Sequence, residues 1–96
     1  MSAYRLSVRA RADLDDIWTY SVAKWGRRKA SDYLRDIRAA IELVADRPEL
    51  GGRHKRVGGE YRKRAVGSHL IFYRADPSVE IVRVLHQNMD IRLHLP

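Results

Sequence analysis

The chain has 96 residues, 19 Lys and Arg against 12 Asp and Glu, a net charge of +7 and no cysteine. This length holds one small domain over residues 1–96, and a hydrophobic content of 45% is enough to bury a core. The missing cysteine excludes a disulfide scaffold, a zinc–thiolate centre and a cysteine nucleophile.

No run approaches the ~18 apolar residues of a membrane span, and the N-terminus meets Arg5 without an apolar signal core. A cytoplasmic location is therefore expected. The positive balance calls for an acidic partner.

Tyr4 to Arg9 alternates apolar and polar residues, the period of a half-buried strand. Leu14, Ile17, Trp18, Ser21, Val22 and Trp25 follow at helical spacing and predict an amphipathic helix. Asp13, Asp15 and Asp16 are expected in its first turns, at the positive end of the helix dipole. Gly26 supplies the left-handed residue that ends it. Ala30, Tyr33, Leu34, Ile37, Ala40, Ile41 and Val44 repeat the spacing in a second helix, stopped by Arg47-Pro48. So short a connection predicts an antiparallel helical hairpin.

Pro48 to Gly59 reads as a glycine-rich loop. Tyr61–Val66 and His69–Arg74 read as strands joined by a Gly67-Ser68 hairpin turn with glycine first. Ala75 to Ser78 forms a turn. Val79–Leu85 is apolar on both faces, as in a central strand. The tail from Asn88 to Leu95 forms a short helix or an extended arm. The fold class is therefore α+β: an N-terminal strand, a two-helix hairpin, then three antiparallel strands in a small twisted sheet. The first strand must pair with a later one. The hairpin covers one face and leaves the other open, with basic side chains on it.

Arg62 and Arg64 alternate along one strand and share a side. Arg83 interrupts an apolar strand. An arginine there either pairs with Glu80, Asp76 or a terminal carboxylate, or holds a phosphate or a partner's carboxylate. His86 closes that strand, as a general acid or base or as a hydrogen-bonded anchor for the tail. Arg53, Lys55, Arg56, Arg62, Lys63 and Arg64 face only Glu60 within their segment, a strong but nonspecific positive field. His54, His69, His86 and His94 lack metal spacing, so no metal and no cofactor is expected. Gly51, Gly52, Gly58 and Gly59 lack the Gly-Lys-Ser/Thr ending of a phosphate loop. Trp18 and Trp25 lie on the apolar stripe as core or partner-binding residues. Tyr61 and Tyr73 read as sheet-packing residues more than as base-stacking ones.

Five segments together resemble the RelE/ParE superfamily of type II toxin–antitoxin systems: Ala12-Asp13-Leu14-Asp15-Asp16-Ile17-Trp18, Trp25-Gly26, Arg47-Pro48-Glu49-Leu50-Gly51, Val66 to Arg74, and Val79 to His86. The resemblance covers essentially the whole chain and is nearest to the ParE-type toxins. It implies a toxin that inhibits DNA gyrase without chemistry of its own and blocks replication. It also implies a cognate ParD-like antitoxin in a hetero-oligomer, docking beside the hairpin with Trp18, Trp25, Tyr33, Leu34 and Ile37 as candidate contacts. Candidate target-binding residues are Arg53, Lys55, Arg56, Arg62, Arg64 and Arg83. No sequence-specific DNA binding by the toxin alone is expected. The alternative is a ribosome-dependent mRNA endonuclease of the RelE type, with Arg64, Arg83 and His86 as its cleavage set. A third reading keeps only antitoxin binding and co-repression.

Overall fold

A computed structural model describes residues 3–56 and 59–95, with the side chains of 54–56, 59 and 60 outside the description. The described elements are β1 (Arg5–Leu6), α1 (Val8–Trp25), α2 (Arg27–Asp46), a 3-10 turn (Pro48–Leu50), β2 (Gly52–Arg56), β3 (Gly59–Val66), β4 (His69–Arg74), β5 (Glu80–His86) and a second 3-10 turn (Ile91–Leu93). They form a five-stranded sheet in the order β1-β5-β4-β3-β2. β1 runs parallel to β5, and every other pairing is antiparallel.

The α+β architecture and the late pairing of the first strand match the sequence reading. In the helical hairpin three details differ. α1 begins at Val8, because Ser7 caps it: the Ser7 hydroxyl accepts from the Ala10 amide at 2.9 Å and donates to the Val82 carbonyl at 2.7 Å. Asp13, Asp15 and Asp16 therefore fall past the first turn. The buried positions of α1 are Ala10, Ile17 and Ser21, while Trp18 and Trp25 turn outward, 38% and 41% exposed. Gly26 ends α1 with φ 87° and ψ 168°. This is an extended positive-φ conformation that glycine alone occupies readily, not the left-handed helical one.

The expected loop contains β2, paired residue for residue from Gly52↔Lys63 to Arg56↔Gly59. Its charged sequence hides it from a search for apolar alternation. β2 is an edge strand, and charge on an edge discourages further pairing. The sheet thus has four antiparallel strands plus β1, where the sequence suggested three plus one.

The face expected to be open is covered. On the hairpin side, Ile17, Ile37, Ile41 and Val44 pack against Ile71, Tyr73, Ile81 and Val84. On the other side, Tyr61, Phe72, Val82 and Leu85 form a second cluster, covered by Leu95 with Ile91 and Leu70 beside it. The tail is the cover. Arg62 and Arg64 stand opposite Tyr73 and Ile71, so the pleat puts them on the hairpin side.

The register slips between Phe72 and Tyr73, which oppose Arg83 and Ile81. Val82 is the extra residue of a bulge. Ile81 and Val84, three positions apart, consequently enter the same core.

Candidate functional site

β1 is only two residues long, so most of the outer edge of β5 lacks a strand neighbour. Side chains at the start of α1 take over. Ser7 binds the Val82 carbonyl, and the Asp13 carboxylate accepts from the Val84 amide at 2.9 Å. Arg83 clamps the same carboxylate with two bonds of 2.8 Å, from Nε and Nη2, and donates from Nη1 to the His94 carbonyl at 2.9 Å. Both side chains are about nine-tenths buried. The hydrogen bond to Asp13 raises the Arg83 pKa despite burial, so this guanidinium stays charged.

A hollow of about 300 Å³ opens where the helical hairpin meets the β4–β5 end of the sheet. Four rings run along it: Trp25, Tyr33, His69 and His86, with successive centroids 5.8, 5.6 and 5.3 Å apart. His69 and His86 are direct cross-strand partners. The Tyr33 hydroxyl accepts from the Ser68 amide at 3.1 Å and binds His69 Nδ1 at 2.5 Å. The same hydroxyl lies 3.5 Å from the Val66 carbonyl, to which it can donate, and 3.4 Å from the Ser68 hydroxyl, so Tyr33 ties α2 to the β3–β4 turn at several points. Burial pushes the His69 pKa down, the neighbouring His86 pushes it further, and Asp13 opposes both. His86 Nδ1 accepts from the Asn88 amide at 3.1 Å, which leaves its ring proton on Nε2. Lys24 lies over Tyr20 and Trp25 at the rim, 5.6 and 5.4 Å from the ring centroids.

A second hollow, of about 260 Å³, is mostly apolar, with Arg38 at its lining. It lies between β1 and the two helices, lined by residues that include Tyr4, Leu6, Leu14, Leu34 and Ile37. Among the described residues, no imidazole–carboxylate hydrogen bond occurs, and no group of three or more metal-ligating side chains assembles. No helix there is long and apolar enough to cross a membrane. The arrangement offers aromatic and apolar recesses beside positive charge, which suits the capture of a large partner.

Comparison with known proteins places this geometry. Residues 4–91 match the family model described as the ParE toxin of the type II toxin–antitoxin system parDE. The chain belongs to the ParE toxin family. It is 53% identical over 95 residues to Toxin ParE1 of Caulobacter vibrioides, covering 99% of each chain. To Toxin ParE1 of Mycobacterium tuberculosis it is 40% identical over 96 residues, covering 98% of each. A solved structure titled as a chromosomal ParDE system from P. aeruginosa shares the fold. Its TM-score is 0.77 at 24% identity, covering 90% of this chain and 96% of that one.

In this ParE-family chain the expected site residues are dispersed. Trp25 and Tyr33 line the histidine hollow. Leu34 and Ile37 line the apolar one, with Ile37 fully buried beneath it. Trp18 stands exposed on α1. Arg53 and Arg62 share a third hollow, at the Tyr73–Asp76 end of the sheet. Arg64 is half-buried, close enough to Tyr73 to influence its ionisation. The side chains of Lys55 and Arg56 lie outside the described residues. Arg83 and His86 line different hollows. Of the sequence alternatives for Arg83, pairing is what the structure places there, but with Asp13 and not with Glu80, Asp76 or a terminus.

Sequence reasoning missed Asp13, Tyr33 as a hydrogen-bonding centre, and His69. One signal for Asp13 was present. It lies one helical turn before the buried Ile17, where a carboxylate requires a cation.

Proposed function

We propose that this member of the ParE toxin family is a single-domain cytoplasmic inhibitor of DNA gyrase, acting by binding and not by catalysis. We further propose that a ParD-like antitoxin neutralises it in a hetero-oligomer. Family membership across residues 4–91 carries the reading. The state of Arg83 supports it. The RelE-type alternative would use Arg64, Arg83 and His86 together, yet the Arg83 guanidinium is already held by Asp13 and the His94 carbonyl.

The antitoxin would seat an amphipathic helix along the hairpin, large apolar side chains entering the Trp25–Tyr33 and Leu34 hollows. Its acidic residues would meet the +7 chain and speed encounter. Target contacts fall to Arg53, Lys55, Arg56, Arg62 and Arg64, five basic residues carried by β2 and β3.

The test titrates purified toxin into a gyrase supercoiling assay, with ribosome-dependent mRNA cleavage in parallel. Lost supercoiling with trapped cleaved DNA and intact mRNA is the expected result. Codon-associated mRNA cuts with normal supercoiling would overturn the reading.

A further inference from the structure

Residues 17–31 carry Lys24, Arg27, Arg28 and Lys29 and no carboxylate. They include the tip of the helical hairpin, where α1 ends at Trp25 and α2 begins at Arg27. All four cations are exposed, and among the described residues none of them forms an ion pair. Asp32, the next acid along α2, is bonded to Arg35.

Folding gains nothing from this arrangement. Arg27, Arg28 and Lys29 are consecutive and repel one another. They also occupy the first turn of α2, at the positive end of its dipole, with no acidic residue there to offset them. The charge is favourable only toward something outside the chain.

The neighbouring surface narrows what that is. Lys24 and Trp25 line the histidine hollow together with Tyr20, Ile17 and Met89, a mostly apolar recess that suits an apolar side chain. Asp16 lines it about two turns before Lys24, so the hollow is positive toward the tip alone. A single-stranded nucleic acid needs open aromatic faces beside the cations on which to stack its bases. Lys24 already lies over the Tyr20 and Trp25 rings, and Trp25 meets Tyr33 edge-on, so Trp25 serves as a wall of the hollow.

We propose that the hairpin tip reads an acidic, amphipathic peptide helix: an apolar side chain enters the histidine hollow, and carboxylates on its tip side meet Lys24, Arg27 and Arg28. The occupant is the amphipathic helix of the antitoxin. The inference thus rests on the antitoxin reading above and deepens it, by assigning the antitoxin's acids to named cations. Docking relieves the repulsion that the free toxin carries at the start of α2.

The experiment follows a labelled peptide carrying the antitoxin's amphipathic segment as it associates with and leaves the purified toxin, at stepped salt concentrations. Two double variants are compared, R27Q/R28Q at the tip and R9Q/R11Q at the start of α1. Each removes two exposed cations from the beginning of a helix, so net charge and the effect on the helix dipole are matched. Both are expected to melt at the wild-type temperature or a few degrees above it. R27Q/R28Q is expected to bind about tenfold more weakly at low salt, mainly through slower association, with the difference closing as salt rises. R9Q/R11Q stays within about twofold of wild type. A peptide whose Asp and Glu are changed to Asn and Gln should bind wild type and R27Q/R28Q alike. Equal losses in the two double variants, no loss in R27Q/R28Q, or the same loss with the neutral peptide overturns the proposal. So does a labelled DNA duplex that loses binding in R27Q/R28Q while the peptide keeps it. Should R27Q/R28Q fold poorly, K24Q leaves α2 intact and is expected to lose about threefold, and wild-type affinity there overturns the proposal. A wild-type toxin that binds no peptide removes the antitoxin reading and this inference with it, whereas binding with equal losses removes this inference alone.

Discussion

Asp13 and Arg83 form a bidentate pair, 2.8 Å in both arms, while the Asp13 carboxylate also accepts the Val84 amide. One carboxylate thereby joins α1, the edge of β5 and, through the Arg83 bond to His94, the tail. Removing one member of a buried pair leaves the other charge unsatisfied, at a cost of about 3 kcal/mol. Asp13→Asn is expected to lower Tm by roughly 12–24 °C, using about 4–8 °C per kcal/mol for a domain of this size. The double variant Asp13→Leu with Arg83→Met should recover much of that loss, because an apolar replacement removes both desolvation costs. Urea and thermal melts of the three proteins decide it. An Asp13→Asn Tm equal to wild type means the pair does not hold these elements together.

Gly67 and Tyr33 constrain each other. Gly67 has φ 55°, and a β-carbon there would lie 2.5 Å from Cε1 of the Tyr33 ring. Gly67→Ala combines backbone strain with that overlap and should destabilise by about 2 kcal/mol. Tyr33→Phe strands the Ser68 amide and His69 Nδ1, for about 1–2 kcal/mol. Both act on the same ring, so the double variant should lose less than the sum. Additive losses in the melts would contradict a shared mechanism.

His69 makes stability pH-dependent in a definite direction. Its folded pKa lies below the ordinary value of 6.5. Between the folded and unfolded pKa values the unfolded chain binds more protons, so stability rises with pH across that window. The contribution is complete above about 6.5 and is lost as pH falls through the window. Tm measured from pH 5 to 8 should climb and then level, and His69→Gln should flatten the climb. NMR titration of His69 with a midpoint above 6.5 would contradict this. In His86→Gln the midpoint should move up, since His86 is one cause of the depression.

Two residues of the hairpin separate binding from folding. Trp25→Ala alters an exposed ring and should weaken binding of an antitoxin C-terminal peptide by about 30-fold or more, with little change in Tm. Ile37→Ala empties a fully buried site and should cost about 2–5 kcal/mol of stability. Calorimetry beside thermal melts distinguishes them. Wild-type affinity in Trp25→Ala would remove the histidine hollow from the docking surface.

The strands and helices with regular apolar spacing were legible in the sequence, because periodicity reports directly on burial. β2 was not, since an edge strand of Arg53, His54, Lys55 and Arg56 has no apolar face to display. The covered second face was half legible. Val79–Leu85 is apolar on both sides, and a strand of that kind requires cover on both, which the tail supplies. The side chain facing each core was not legible beyond Ile81, because the bulge at Val82 breaks the alternation. The pairing of Arg83 lay beyond local reasoning, as its partner is 70 positions away. Of the candidate site, Trp25 and Tyr33 lie on the helical stripes that the spacing predicts, and the family resemblance offers them as contacts. His69 joins them only through cross-strand register, a relationship that appears once β4 and β5 are aligned.

The parallel pairing of β1 with β5 also sets a clock on the protein's birth. Ser7 cannot meet Val82 until the chain has grown by the 75 residues that end with Val82, roughly 4–15 s at about 5–20 residues per second. Throughout that interval the inner faces of α1 and α2 have no sheet to bury them, because β3, β4 and β5 all come later in the chain. The nascent hairpin is therefore a sticky intermediate at every round of translation. Whatever amphipathic segment reaches it first, before β5 emerges, has access to the Ile17, Ile37 and Ile41 side chains that the finished molecule conceals.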